Sequence, residues 1–361
     1  MRVIVLAVFF LIGLTDTPWA QSSGGNPPHP GAWHKKIKIE GSFAFCDEPV
    51  PLDNPAVFEA FEKELLLAAW NQPQVLLWLK RAYRVFPYIE QELTRRGLPD
   101  DLKYIAVVES ALRPHVRSHK NAVGYWQFIR PTAVRYGLRV DRDIDQRRNL
   151  YHATDAALRY LSDLHTQFDS WTLAAAAYNS GENRVASEMK LQGVDNFYQL
   201  YLPLETQRYI VKIVAVKEIM SDPAKYGYEL TPSELYLPLE FDRITLDAKR
   251  KLPLVMIARA AHSYFKEIKT FNPEIRGHSL VEGVHSLHLP KGAAQGFHQR
   301  LKGLMARQKP AVNKVYVVKP GDTLIGIANK LDVPVGALLV WNNISLKKRI
   351  YPGDRLKYKT E

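Results

Sequence analysis

The chain has 361 residues, 46% of them apolar and 24% charged, and a formal net charge of +12. That is the composition of a folded protein, long enough for two or three domains. One cysteine, Cys46, excludes an internal disulfide and a thiolate metal cluster, while the positive balance favours polyanionic partners.

In residues 1–20, Arg2 precedes the apolar run Val3 to Leu14, and a polar stretch ends at Trp19-Ala20. This reads as a signal peptide cut near Ala20, although Pro18 stands where a small residue is usual; the alternative is an uncleaved N-terminal anchor. Export makes nucleic acid the least fitting polyanion, and no zinc-finger spacing or other nucleic-acid signature is present. An anionic cell wall, or peripheral association with an anionic membrane, fits better. No apolar run of membrane-spanning length follows the N-terminal segment. Residues 21–54 are rich in Gly, Pro, Ser and Asn and read as an extended leader with little core. Within them, Phe43-Ala44-Phe45 before Cys46 does not resemble a lipoprotein processing box.

Residues 55–222 carry helical periodicity. Helices are expected over 58–70, up to Gly97, and over 99–112, 152–168, 171–178 and 205–220, an all-α domain. Ser221-Asp222-Pro223 ends it. Residues 236–291 and 314–359 then repeat one pattern: a short alternating segment, two short helical stretches and a strand-like run. Phe271-Asn272-Pro273 in the first copy corresponds to Trp341-Asn342-Asn343 in the second. Two βααβ units follow, joined by a linker over 292–313 that is rich in Lys, Gln, Gly and Ala; the first copy could instead be an extended linker with one helix. The expected core of the second comprises Leu324, Ile327, Ala328, Leu338 and Trp341. The fold class is α+β multidomain.

One carboxylate stands out. Leu102, Ile105 and Ala106 mark an apolar face at i, i+3 and i+4, and Glu109 continues it at i+7. A carboxylate on a buried stripe is costly unless paired or protonated. Desolvation raises its pKa, which suits a general acid near neutral pH. The alternative is a structural carboxylate held by Arg113.

Four landmarks then occur in order: Glu109-Ser110; Gly124-Tyr125-Trp126-Gln127-Phe128-Ile129-Arg130-Pro131; Ala177-Tyr178-Asn179-Ser180-Gly181; and Glu205-Thr206-Gln207-Arg208-Tyr209-Ile210. Taken singly, each has an ordinary structural explanation. Ser110 could bond its own helix backbone, and Gln127 could be a satisfied core amide. Tyr178 could be packing, Asn179 with Gly181 a helix end, and Glu205 an N-terminal helix charge. At this order and spacing they closely resemble the transglycosylase domain of the soluble lytic transglycosylases. Arg96-Gly97-Leu98-Pro99, Asp145-Gln146-Arg147-Arg148 and Tyr226-Gly227 look like the membrane-bound D-type members. Val318-Lys319-Pro320-Gly321-Asp322-Thr323-Leu324 and Tyr351-Pro352-Gly353-Asp354 are similar to a LysM module. Arg130 departs from the pattern, which usually has a small or apolar residue there.

The resemblance implies an all-α, lysozyme-like catalytic domain followed by LysM-type units, the first degenerate. It implies Glu109 as catalytic acid and then base. Ser110 would hold the site and the sugar, Gln127 and Phe128 would line the cleft, and Tyr178 and Asn179 would bind substrate and orient the glutamate. Glu205 and Tyr209 would close the other wall. The implied partner is peptidoglycan glycan, with LysM gripping N-acetylglucosamine units. The implied location is the cell envelope or periplasm, and no metal or cofactor is required. Two other readings stay open. A goose-type lysozyme would use water and a second carboxylate, for which Asp100, Asp145 and Glu182 are available. A non-catalytic glycan-binding scaffold would need no acid at all.

Overall fold

The computed structural model describes residues 37–307 and 312–360; the signal segment over 1–20 and the leader before residue 37 lie outside the described residues. The chain turns back early. Strands β1 (Ala44–Phe45) and β2 (Glu48–Pro49) form a hairpin. Phe43 and Phe45 are buried, and Phe43 tilts against Phe61 with ring centroids 4.7 Å apart. The expected coreless leader is corrected here. Its Gly/Pro-rich composition hides two aromatic residues that pack on the helices.

Helix α1 (Pro55–Trp70) starts with proline at its first position and Asn54 accepting from the Ala56 N–H at 3.0 Å. Helix α2 (Gln72–Arg96) runs through Pro87 and ends where Gly97 takes a left-handed φ of 65°. A single 3₁₀ turn (Asp100–Leu102) leads into α3 (Lys103–Ser110). The helix expected over 99–112 stops two residues early, because Ala111 and Leu112 adopt φ of 52° and 58°. The Arg81 guanidinium donates to the Ala111 carbonyl at 3.2 Å and holds this turn.

Helix α4 (Arg130–Arg135) is short, and exposed Arg130 at its start meets water, which is why a charge is tolerated there. Helices α5 (Leu150–Phe168), α6 (Trp171–Ser180) and α7 (Glu182–Gln192) follow. Ala174 to Ala177 are fully buried, so α6 approaches α5 closely. Helix α7 was missed by periodicity because Val185 is its one buried residue. A single turn, α8 (Leu204–Gln207), precedes α9 (Tyr209–Ser221), which is buried nearly all round. It packs on α1, α3 and α6 as the central helix. No single helix among the described residues is long and apolar enough to cross a membrane.

The next unit pairs β3 (Phe241–Ala248) with β6 (Gly283–Pro290), antiparallel, Phe241 opposite Pro290. Between them lie β4 (Leu252–Pro253), α10 (Leu254–Ala260), α11 (Phe265–Phe271) and β5 (Ser279–Leu280), with β4 and β5 also paired. It is sewn to the helical domain: Asp145 N–H donates to the Glu274 carbonyl and Arg276 N–H to that of Asp143, each at 2.8 Å. Ile144 enters its core beside Ile244, Ile257 and Leu287. The linker reading for 292–313 is corrected in part. Phe297–Arg307 is a helix, α12, whose Phe297 and Leu301 are buried in this same core. Phe297, Leu301, Leu304 and Met305 recur at helical spacing, a stripe that a composition count passes over.

The last unit pairs β7 (Val312–Val317) with β8 (Arg355–Thr360) around α13 (Leu324–Lys330) and α14 (Val335–Asn342). Val318, Leu324, Ile327, Ala328, Leu338 and Leu356 form its core; Trp341 is half-exposed and is not part of it.

The two units share one hydrogen-bond device. The Asn272 amide donates to the Ile268 and His288 carbonyls and accepts from the His288 N–H, all at 2.8 Å. The Asn342 amide does the same with Leu338 and Lys357, at 2.8, 2.8 and 2.7 Å. An asparagine at the end of the second helix thus clasps the closing strand in both. Truncating Asn272, which is fully buried, strands a buried N–H and a carbonyl. Asn272→Ala should lower unfolding stability by ~2–3 kcal/mol, and the more exposed Asn342→Ala by ~1 kcal/mol. Thermal unfolding of the two variants side by side checks the order.

Candidate active site

Glu109 stands in the last turn of α3, against central helix α9. The Tyr209 hydroxyl, itself buried, donates to Glu109 Oε1 at 2.5 Å. Burial pushes the Glu109 carboxyl up to about 7. The Tyr209 hydrogen bond and the Lys212 charge pull it down, while the Glu205 charge pushes it further up. Burial dominates, so near neutral pH the group is poised to hold or release its proton. Arg113 does not pair with it; its Nε donates to the Ser110 carbonyl at 3.1 Å.

The loop over 116–128 forms the facing wall. Three of its carbonyls are tied to three different elements. Ser110 Oγ donates to Tyr125 O at 2.7 Å, the Tyr178 hydroxyl to Trp126 O at 2.6 Å, and Arg147 to Phe128 O at 3.0 Å. The fully buried Trp126 indole donates to Thr154 Oγ1 on α5 at 3.0 Å. Gln127 takes a left-handed φ of 47°, and its amide nitrogen closes the loop on the Gly124 and Val116 carbonyls at 2.9 and 3.2 Å. Only glycine fits at 124: φ is 89° and a Cβ would sit 1.8 Å from the Arg147 carbonyl oxygen.

The third wall is α6, aimed by the N-terminal hairpin. The Glu48 carboxylate accepts from the Trp171 and Thr172 N–H groups and the Ser170 hydroxyl. A carboxylate at a helix N-terminus satisfies free N–H groups and complements the dipole. Tyr178 and Asn179 lie at the other end of this helix. Phe128 packs edge-on to Tyr178, centroids 6.1 Å apart, and Tyr178 tilts against Tyr160 at 5.3 Å.

Between these walls lies a cavity of about 540 Å³ lined by Glu109, Gln127, Phe128, Tyr178, Asn179 and Glu205, among others. Six of the residues singled out from sequence therefore meet in one cleft, while Ser110 and Tyr209 are not part of its lining. Ser110 is buried and its hydroxyl is spent on the loop, so it holds the site and offers nothing to a sugar. Tyr209, rather than Tyr178 or Asn179, holds the glutamate; Asn179 Oδ1 accepts from Thr206 Oγ1 at 2.9 Å. Tyr209 lies behind Glu109, whereas Glu205 is exposed at the rim, 3.9 Å from Lys120. Sequence reasoning missed Thr206, Lys212 and Arg184. Lys212 had a signal: a cation in the apolar first half of α9, one turn after Tyr209.

The other acids are committed elsewhere. Asp100 binds Lys103 at 2.5 Å, Asp145 is a buried partner of Arg147, and Glu182 binds Arg135 and the Tyr160 hydroxyl. No group of side chains with metal-ligating composition occurs among the described residues.

Residues 86–200 match the Transglycosylase SLT domain and residues 316–359 the LysM domain. The chain is 33% identical over 291 residues to the membrane-bound lytic murein transglycosylase D of Escherichia coli K12, covering 76% of this chain and 63% of that protein. It is 31% identical over 154 residues to a putative tributyltin chloride resistance protein of an Alteromonas species, covering 41% of this chain and 74% of that one. Peptidoglycan transglycosylase gp16 of phage T7 is 31% identical over 156 residues, 42% of this chain and 12% of the phage protein. The chain thus spans a little under two thirds of the Escherichia coli relative's length. With an SLT domain followed by a LysM domain, the chain belongs among the proteins that carry the transglycosylase SLT domain.

Proposed function

We propose that the chain is a peptidoglycan lytic transglycosylase. It cleaves the β-1,4 bond between N-acetylmuramic acid and N-acetylglucosamine without water and leaves 1,6-anhydro ends. The observation that carries this reading is Glu109, a carboxyl raised to about 7 and held by a tyrosine hydroxyl, in a cleft whose other acids are Glu182, paired with Arg135 and the Tyr160 hydroxyl, and Glu205, exposed at the rim beside Lys120. Most glycosidases need two carboxylates, one as acid and one as nucleophile or base. A single one suffices if the substrate brings its own nucleophile. Protonated Glu109 gives its proton to the leaving glycosidic oxygen. The resulting carboxylate takes the proton of the muramic acid C6 hydroxyl as that oxygen closes on C1 of the same sugar. One proton enters and one returns, so Glu109 ends as it began, and the internal attack lowers the entropic cost. Gln127, Phe128, Tyr178 and Asn179 hold the sugar. The LysM unit adds affinity for the same polymer by raising effective concentration. Export to the envelope or periplasm and peripheral association with anionic membrane follow from the signal-like N-terminus and the charge of +12.

Digestion of sacculi in oxygen-18 water tests the reaction. The expected muramic acid ends are unlabelled and lighter by one water than hydrolysis products. Label at those ends means water attacks, and a lysozyme-like hydrolase replaces this reading.

A further inference from the structure

The first βααβ unit spends on the helical domain a turn that the second leaves in water. Just past the clasping Asn272, Glu274 and Ile275 are 6% and 1% exposed. In the matching turn of the second unit, Ser345 to Arg349 are all exposed. The buried turn meets a strap of the helical domain, residues 139–148. Ile144 and Ile275 form an antiparallel bridge, framed by the hydrogen bonds from Asp145 to Glu274 and from Arg276 to Asp143. The Arg276 guanidinium adds a bond to the Asp141 carbonyl at 3.1 Å. Both sides of this seam are stiff. The Asp141 carboxylate accepts from the Asp143 and Ile144 N–H groups at 2.8 and 2.7 Å, a side-chain-closed turn from which Ile144 enters the unit's core. On the unit's side, the β4–β5 pairing and Leu254 N–H on the His278 carbonyl at 2.9 Å pin the ends of the turn.

The opposite edge of the strap is the cleft. Asp145 grips Arg147, and Arg147 holds the Asn121 and Phe128 carbonyls of the facing wall. The path from Ile275 to the residue beside Gln127 is unbroken: paired backbone, buried carboxylate, guanidinium, carbonyl. The strap has one 3₁₀ turn of its own (Gln146–Arg148), and bonds such as Gln146 N–H to Arg139 O close within it. Among the described residues, its long-range backbone bonds both go to the unit. We propose that the first unit is a positioning part of the active site: Ile275 and Arg276 hold the strap, and the strap, through Asp145 and Arg147, sets the loop that presents Gln127 and Phe128. Ile144, Ile275 and Arg276 act through Arg147, and none of them lines the cleft. Their effect on rate rests on the function proposed above; the hold on the loop does not.

Two measurements on the full chain test it. Ile144→Ala with Arg276→Ala opens the seam, Ile144→Val keeps it filled, and Leu301→Ala weakens the same core from α12. In the first, amide hydrogen exchange is followed by mass spectrometry. Peptides covering 116–128 should exchange ~10-fold faster in the double variant, with α5 and α9 unchanged, as expected of a local opening. Ile144→Val and Leu301→Ala should leave the loop protected. In the second, kinetics on short soluble glycan strands should show kcat and kcat/KM falling together by ~10-fold in the double variant, the mark of a misplaced group that acts in the transition state. Ile144→Val should restore the wild-type rate. If the double variant does not fold, Arg276→Ala alone, which spares the core, should give a change of the same kind of ~3-fold. Unchanged loop exchange overturns the proposal. So does exchange that rises equally in α5 and α9, or an equal loop response to Leu301→Ala, since the unit would then only add stability. Faster loop exchange with wild-type kcat overturns the positioning role. A loop that loosens as expected in a chain whose wild type cleaves no glycan would sink the transglycosylase reading and leave the hold on the loop standing.

Discussion

Glu109→Gln should lower turnover of sacculi by at least ~100-fold, the usual contribution of a general acid–base group, and should also make the protein more stable above pH 7. The amide keeps the shape of the side chain and still accepts from the Tyr209 hydroxyl. It cannot give up a proton and take one back. The stability gain follows from the direction of the shift. The folded-state pKa is raised from 4.5 to about 7, so the folded protein binds this proton more tightly than the unfolded chain does. That contribution is complete below the unfolded value and is lost as pH rises through the folded one. At pH 8 the native state carries a desolvated charge that Gln removes. Each pKa unit is worth ~1.4 kcal/mol, so the variant should gain on the order of 1–3 kcal/mol at pH 8 and almost nothing at pH 4. Initial rates on sacculi and thermal unfolding at the two pH values check both halves. Wild-type turnover in the variant would remove Glu109 from the chemistry. A stability difference that does not vary with pH would mean the native carboxyl is not shifted.

Much of this was legible because the relevant signals are local. Leu102, Ile105 and Ala106 recur at helical spacing, and Glu109 continues their face, so its half-buried setting could be read from periodicity alone. The repeated Asn272 and Asn342 positions marked the two βααβ units, and the clasp gives the physical reason: one amide at a helix end bonds both backbone groups of a strand residue 15 or 16 positions later. What was not legible depends on contacts between distant residues. Tyr209 reaches Glu109 across 100 residues, and nothing in either local sequence marks the pair. Glu48 sits in a segment with the composition of a leader, yet it caps α6 from more than 120 residues away.

Arg147→Ala should be the most destabilising single change near the cleft, at ~3–5 kcal/mol, the range for breaking a buried ion pair from one side. The pair is bidentate: Nε meets Asp145 Oδ1 at 2.8 Å and a terminal nitrogen meets Oδ2 at 2.9 Å. Both side chains are less than a tenth exposed. The other terminal nitrogen donates to the Asn121 and Phe128 carbonyls at 3.1 and 3.0 Å. Arg147 therefore does two jobs, neutralising a buried carboxylate and holding the loop that presents Gln127 and Phe128. A double variant separates them. Asp145→Ala with Arg147→Ala removes the buried carboxylate along with its bidentate cation and leaves only the partly buried Arg148, 3.8 Å from Asp145, without that partner, so it should recover part of the stability lost by Arg147→Ala alone. It should not recover activity, because the loop carbonyls still lack their donor, and a misplacement of ~1 Å can cost ~100-fold in rate. Arg147→Lys should behave like the alanine variant in rate, since a point charge cannot serve two carboxylate oxygens and two carbonyls at once. Chemical denaturation and kcat on soluble glycan strands, measured on all three variants, give the comparison. If stability and activity recover together in the double variant, the loop needs only charge balance, and the carbonyl contacts of Arg147 do not position the cleft.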